Sequence, residues 1–84
     1  MNWYVYVILT VKNKLYTGIS TDPERRFIEH LCCKKKGAKY FRTDSPVKIV
    51  YLEEWSTMSE ALISEAGIKK WSSQKKRSIF LNEL

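Results

Sequence analysis

Four features of the sequence could carry chemistry. Two tyrosine-bearing triplets, Tyr4-Val5-Tyr6 and Tyr16-Thr17-Gly18, stand close together near the start of the chain. Arg26 and His30 are four positions apart, so on a helix they share a face. Glu65 lies midway along a segment of helical spacing, with Ala61 and Ile68 on its side, which predicts partial burial. A buried carboxylate without a partner is costly, and a metal ion or a cation would offset that cost. Other chemistries find no support. His30 is the one histidine and Cys32 and Cys33 are neighbours, so these side chains cannot complete a tetrahedral zinc site unaided. Gly18, Gly37 and Gly67 are too scattered to form a phosphate-cradling loop. No spacing supports a serine nucleophile working with His30.

Charge points to the partner. The formal net charge is +6, from 15 Lys and Arg against 9 Asp and Glu. The cations are grouped: Lys34, Lys35, Lys36, Lys39 and Arg42 form one cluster, and Lys69, Lys70, Lys75, Lys76 and Arg77 another. Clustered cations suit a polyanion, although a solvated basic surface is the plainer reading. A membrane surface fits less well, because no basic segment carries a broad bare apolar face. The longest uncharged, mostly apolar run, Met1 to Val11, is about half the length of a membrane-spanning helix. It also lacks the basic start and small-residue cleavage site of a signal peptide. Adjacent cysteines make no disulfide framework and fit a reducing compartment. The expectation is a cytoplasmic protein, nucleoid-associated in a bacterium, with no membrane partner.

The elements that must position these residues follow from periodicity. With 84 residues and 44% hydrophobic content, the chain is expected to form a single domain over residues 1–84. Trp3 to Leu9 alternates aromatic and β-branched residues and reads as a strand. Leu15 to Ile19 is a second strand, antiparallel to it. Thr21 and Glu24 form a capping box, with Pro23 in the first turn, for a helix to about Cys33. Phe27 and Leu31, with Ile28 alongside, make its apolar stripe. Lys34 to Ser45 reads as a loop. Val47 to Glu53 is a third strand, apolar on both faces and therefore expected at the centre of the sheet. Thr57 and Glu60 cap a second helix to about Trp71, and Ser72 or Ser73 caps a third, Gln74 to Leu81. The order β-β-α-β-α-α defines an α+β fold: a small three-stranded antiparallel sheet flanked by helices.

These residues together resemble the GIY-YIG nuclease family, most closely its small stand-alone single-domain members. Tyr4-Val5-Tyr6 stands for the first motif, without its Gly and Ile, and Tyr16-Thr17-Gly18 for the second, with Thr17 in place of Ile. Arg26 follows Tyr16 by ten residues, His30 comes at the family's spacing, and Glu65 occupies a helical Glu-x-x-x-Lys context ending at Lys69. The resemblance covers Trp3 to Leu81. It implies an endonuclease that hydrolyses DNA phosphodiester bonds with one divalent ion, Mg2+ or Mn2+. Glu65 would be the metal ligand. Tyr16 would take a proton from the attacking water, Tyr6 would orient that water, and Arg26 would hold the scissile phosphate. His30 would contact the phosphate or relay a proton. A phenol ordinarily titrates near about 10, so a cation such as Arg26 must help the phenolate form. Many relatives carry an Asn near the end of the core, where this chain has Asn82. The substrate expected is structured, damaged or single-stranded DNA, in a setting such as DNA repair. The alternative is a non-catalytic nucleic-acid-binding module on the same fold.

The shared site imposes a register. Side chains alternate faces along a strand, so a two-residue turn would set Tyr6 and Tyr16 on opposite sides. A three-residue loop, Val11 to Asn13, would pair Ile8 with Tyr16 and bring the two phenols to one face. The substrate surface is then expected from Lys34, Lys35, Lys36, Lys39, Tyr40, Arg42 and Lys69, with Tyr40 or Phe41 stacking on a base. The plainer readings are strand aromatics filling a core, Arg26 pairing with Glu29 or Asp22, and a Glu65–Lys69 pair worth about 0.3–0.5 kcal/mol.

Overall fold

The computed structural model describes residues 1–32 and 35–83. It contains β1 (Trp3–Thr10), β2 (Leu15–Ser20), α1 (Pro23–Cys32), a 3-10 turn (Lys39–Arg42), β3 (Pro46–Trp55), α2 (Met58–Lys69) and α3 (Ser73–Leu81). The sheet is antiparallel with order β2-β1-β3, giving the expected α+β architecture. No helix among the described residues is long and apolar enough to cross a membrane.

The central strand is β1, not β3. Val5, Tyr6, Val7 and Ile8 are consecutive and all buried, as a strand covered on both faces requires. Val5 and Val7 pack with Ala61, Ile68 and Phe80 beneath α2 and α3, while Tyr6 and Ile8 pack with Phe41 on the other face. β3 lies at an edge, and its apolar run has a different cause. The register slips between Val7 and Ile8, where Tyr51 and then Ile49 are the partners, and again between Leu9 and Thr10. Each slip inserts an unpaired residue and resets the alternation. Ile49 therefore joins the Tyr6 face while Val50 and Tyr51 pack on the other.

Helix ends follow side-chain chemistry, with one correction. α1 is capped by Asp22, whose Oδ1 accepts the Arg25 N–H at 3.2 Å, not by a Thr21/Glu24 box. Pro23 takes the first helical position and so fixes the cap one residue before it. The buried side of α1 also differs from the apolar count. His30 is buried beside half-buried Phe27, whereas Ile28 and Leu31 are exposed. At α2 the Thr57 hydroxyl accepts the Glu60 N–H at 3.2 Å, the first half of the capping box, and the Glu60 carboxylate returns to the Thr57 hydroxyl at 3.0 Å rather than to its backbone N–H. Ser72 caps α3 by accepting the Lys75 N–H at 3.1 Å.

Gly67 is exposed near the end of α2 without a positive φ, and a Cβ built there meets nothing within 4 Å. Gly67→Ala is therefore expected to stabilise the fold by about 0.5–1 kcal/mol, through reduced freedom of the unfolded chain. Urea unfolding would show a higher midpoint at unchanged slope. An unchanged or lower midpoint would contradict this.

Candidate active site

The hairpin sets the site. Asn13 has φ of 65°, its N–H reaches the Thr10 carbonyl at 2.9 Å, and the Thr10 N–H reaches the Lys14 carbonyl at 2.9 Å. A turn followed by one left-handed residue is the usual three-residue hairpin connection, and Asn tolerates that conformation. The odd loop pairs Ile8 with Tyr16 and Tyr6 with Gly18. Tyr6 and Tyr16 consequently share a face, with ring centroids 6.5 Å apart.

Gly18 is what lets the Tyr6 ring lie across β2. A Cβ on Gly18 would stand 2.5 Å from the Tyr6 hydroxyl oxygen and 2.6 Å from its Cζ. The Tyr6 hydroxyl lies 3.0 Å from Nε2 of His30, and Nδ1 of His30 accepts the Ala38 N–H at 3.0 Å. Since Nδ1 is an acceptor, the neutral imidazole carries its proton on Nε2 and donates it to the phenol oxygen. The phenol keeps its own hydrogen for another acceptor. Burial pushes the Tyr6 phenol up to about 12, with Tyr16 and Glu65 adding to the effect and the neighbouring Arg26 opposing it. Tyr6 is 2% exposed and stays protonated, whereas Tyr16 is half-buried and open to water.

Burial likewise lowers His30 to about 4, helped by the Arg26 charge and opposed by Glu29. The unfolded chain takes up the imidazole proton near about 6.5. His30 stability is thus complete above that pH and is lost as pH falls toward the folded value of about 4. Unfolding measured between about pH 7 and about pH 5 should show a loss of roughly 1–2 kcal/mol, solvent screening having reduced a larger formal value. The paired carboxylates Asp44 and Glu53, both held below their ordinary range, act at lower pH and leave this window to His30. A His30→Gln variant that kept the same slope would contradict the assignment.

Arg26 is half-buried. Its Nη1 donates to Glu29 Oε1 at 3.1 Å and to the Lys36 carbonyl, tying α1 to the basic segment. Glu65 packs on the same side of α2 as buried Ala61 and Ile68; its side chain is 17% exposed and its carboxylate lies 3.3 Å from Lys69 Nζ. Its negative charge contributes to raising the Tyr6 phenol. Among the described residues, no three His, Cys, Asp or Glu side chains gather as a metal site. An ion at Glu65 would then complete its shell with water and phosphate oxygens, which suits a hard cation. Tyr6, Tyr16, Arg26 and His30 are thus one cluster. Glu65 belongs to α2, which packs on the Val5 and Val7 face, and what links it to the cluster is its charge acting on Tyr6.

The basic segment differs from a free loop. The turn from Lys39 to Arg42 seats Phe41 against His30 at 4.5 Å and Tyr16 at 4.7 Å between ring centroids. Phe41 is buried and closed to a nucleobase, while Tyr40 is 41% exposed with its ring 5.6 Å from Tyr16. Lys35, Lys36, Lys39 and Arg42 are exposed; Lys34 and Cys33 lie outside the described residues. Lys69 is exposed and paired with Glu65. Asn82 ends α3 in a left-handed conformation with its N–H on the Arg77 carbonyl.

Two buried or half-buried carboxylates escaped the sequence reading. Asp44 accepts the Lys12 N–H at 2.9 Å and the Tyr40 hydroxyl at 3.3 Å, locking the hairpin tip against the basic segment. Burial alone would raise it, but hydrogen bonds from Thr10, Lys12 and Tyr40 outweigh that. Glu53 accepts from Tyr51 at 2.6 Å, Trp55 at 2.8 Å and Ser64, joining β3 to α2 one residue from Glu65. The only local signal was Asp44 two residues before Pro46, a common turn pattern.

A family model of the GIY-YIG catalytic domain matches residues 2–78. The chain is 45% identical over 76 residues to a UPF0213 protein of Cupriavidus necator, covering 90% of this chain and 80% of the relative. It is 44% identical over 73 residues to a UPF0213 protein of Staphylococcus saprophyticus, covering 87% of each. The solution NMR structure of a UPF0213 protein from Bacillus halodurans aligns with a TM-score of 0.58 at 35% identity, over 94% of this chain and 82% of that one.

Proposed function

This chain belongs to the GIY-YIG family of nucleases, and on that footing we propose that it is a metal-dependent endonuclease hydrolysing DNA phosphodiester bonds. Structured, damaged or single-stranded DNA is the substrate class. The observation that carries the reading is the convergence of two phenols, a guanidinium and an imidazole on one face, with the charge of Glu65 on α2 acting on one of those phenols, Tyr6.

The side chains divide the work by environment. Tyr6 remains a phenol and offers its free hydrogen to the attacking water, its oxygen being held by His30. Tyr16, half-buried beside it, would first give its proton to solvent and then, as the phenolate, take the proton from that water as the new oxygen–phosphorus bond forms and the bond to the leaving oxygen breaks. Arg26 would hold the phosphate with the N–H groups left over from Glu29, Lys36 and the Tyr6 phenol. His30 has both nitrogens engaged within the protein, so it acts as a positioning residue for Tyr6. Glu65 would hold the divalent ion, Mg2+ or Mn2+, whose charge polarises the phosphate and stabilises the leaving oxygen. Lys35, Lys36, Lys39, Tyr40 and Arg42 would line the approach.

The test is cleavage of plasmid, branched and single-stranded DNA with Mg2+ or Mn2+ against chelator. Tyr16→Phe should cut about 100- to 10,000-fold more slowly than the unsubstituted protein while binding equally well. Salt-sensitive binding without cutting on every substrate would favour the binding module instead. Full activity in Tyr16→Phe would remove the proposed base.

A further inference from the structure

The second basic cluster has no task in the reaction above, yet part of it borders the site. Lys76 and Arg77 of α3 face Lys14 of the hairpin across a cleft of about 260 Å3, with Tyr40 and Ser73 in its lining. Arg77 is fixed there: it donates to the Asn13 carbonyl at 2.8 Å and pairs with Glu83 at 2.7 Å. Among the described residues no carboxylate pairs with Lys14 or Lys76, and both residues line the cleft. Tyr40 is the shared wall. One side of it borders the cleft, and its ring centroid lies 5.6 Å from that of Tyr16.

The charge along the sheet gives a direction. At the hairpin end stand Lys12, Lys14 and, on β3, Lys48 beside Leu9, while the carboxylates there are taken up, Asp44 by the Lys12 N–H and the Tyr40 hydroxyl and Glu83 by Arg77. At the opposite end Tyr4 donates to Glu54 at 3.1 Å, and Asp22 and Glu24 open α1. A polyanionic strand leaving the phenols is repelled at one end and attracted at the other.

We infer that the cleft between the hairpin and α3 binds a second backbone phosphate of the nucleic-acid strand held at the active site, with the exposed Tyr40 ring stacking on the base between them. The inference rests on the nucleic-acid reading above and adds the direction of the strand. Phosphate contacts of this kind fix register without reading sequence.

Binding of a labelled single-stranded oligonucleotide in chelator tests it, because no cutting is needed. Lys76→Gln and Lys14→Gln should each weaken binding about three- to tenfold and flatten the salt dependence by about 0.7 in log–log slope. Lys48→Gln, at the same end of the sheet but outside the cleft, should have a clearly smaller effect on both. A scan in which single phosphates are replaced by neutral methylphosphonates makes the test specific. The unsubstituted protein should lose affinity at one position beyond the scissile phosphate, and Lys76→Gln should lose nothing further there. Equal losses for both proteins at every position, or equal effects of Lys76→Gln and Lys48→Gln, would overturn the inference. So would competition by millimolar orthophosphate that Lys76→Gln abolishes, since the cleft would then be a free-phosphate site. A protein that binds as described but never cuts would fail the nuclease reading alone.

Discussion

Gly18→Ala should unfold at a markedly lower temperature than the unsubstituted protein and lose most of its cleavage activity. The added Cβ would stand 2.5 Å from the Tyr6 hydroxyl oxygen, 2.6 Å from Cζ and 3.2 Å from Cε1. The Tyr6 ring cannot simply swing aside, because it is 2% exposed and packed with Ile8 and Phe41. Moving it also breaks the bond to His30, leaving a buried N–H without an acceptor. Overpacking costs about 1–3 kcal/mol and an unmade buried hydrogen bond about as much again, for a sum of roughly 2–6 kcal/mol. For a domain of this size each kcal/mol lowers the melting temperature by about 4–8 °C. Displacing the phenol that orients the water should slow cutting about 100-fold or more at temperatures where the variant is folded. The identical chemical change at Gly67, where a Cβ meets open space, is expected to have the opposite sign. A Gly18→Ala protein of normal stability would mean that Tyr6 does not lie across Gly18.

Glu65→Gln should reduce cleavage by at least about a thousandfold with little effect on folding. The substitution preserves shape but removes the charge that a hard cation requires. What the fold loses is the pair with Lys69, an (i, i+4) contact whose lysine is 56% exposed and which contributes only about 0.3–0.5 kcal/mol. Binding of DNA in chelator should be unchanged or slightly tighter, because one negative charge has left a cationic surface. A variant with wild-type melting, wild-type binding and no cutting would separate metal chemistry from substrate recognition. A variant that still cuts would remove Glu65 from the reaction.

The sequence made much of this legible where local rules govern. The hairpin register followed from requiring the two tyrosines on one face, and the three-residue loop with Asn13 at positive φ delivers it. The Thr57 cap of α2 with Glu60 as its partner is equally local and was legible. Misreadings arose where distant residues decide. The apolar run in β3 suggested burial on both faces, but its bulges are set by pairing with β1 some forty residues earlier. His30 displaced Leu31 from the buried side of α1 because Tyr6 and Ala38 satisfy both its nitrogens. Asp44 and Glu53 were invisible as buried carboxylates because their donors come from the hairpin tip, neighbouring strand positions and α2. Phe41 looked like a stacking residue, yet the surface it covers is the His30 and Tyr16 rings.

The most direct test of the shared site is nuclear magnetic relaxation with Mn2+ as a paramagnetic probe, in the presence of a phosphorothioate oligonucleotide. Signals from Glu65 and its α2 neighbours should broaden first, together with those of Tyr6, Tyr16 and Gly18, and Glu65→Gln should abolish the effect. Broadening centred on the acidic end around Asp22, Glu24 and Glu54, or surviving in Glu65→Gln, would contradict a single ion set between α2 and the two phenols.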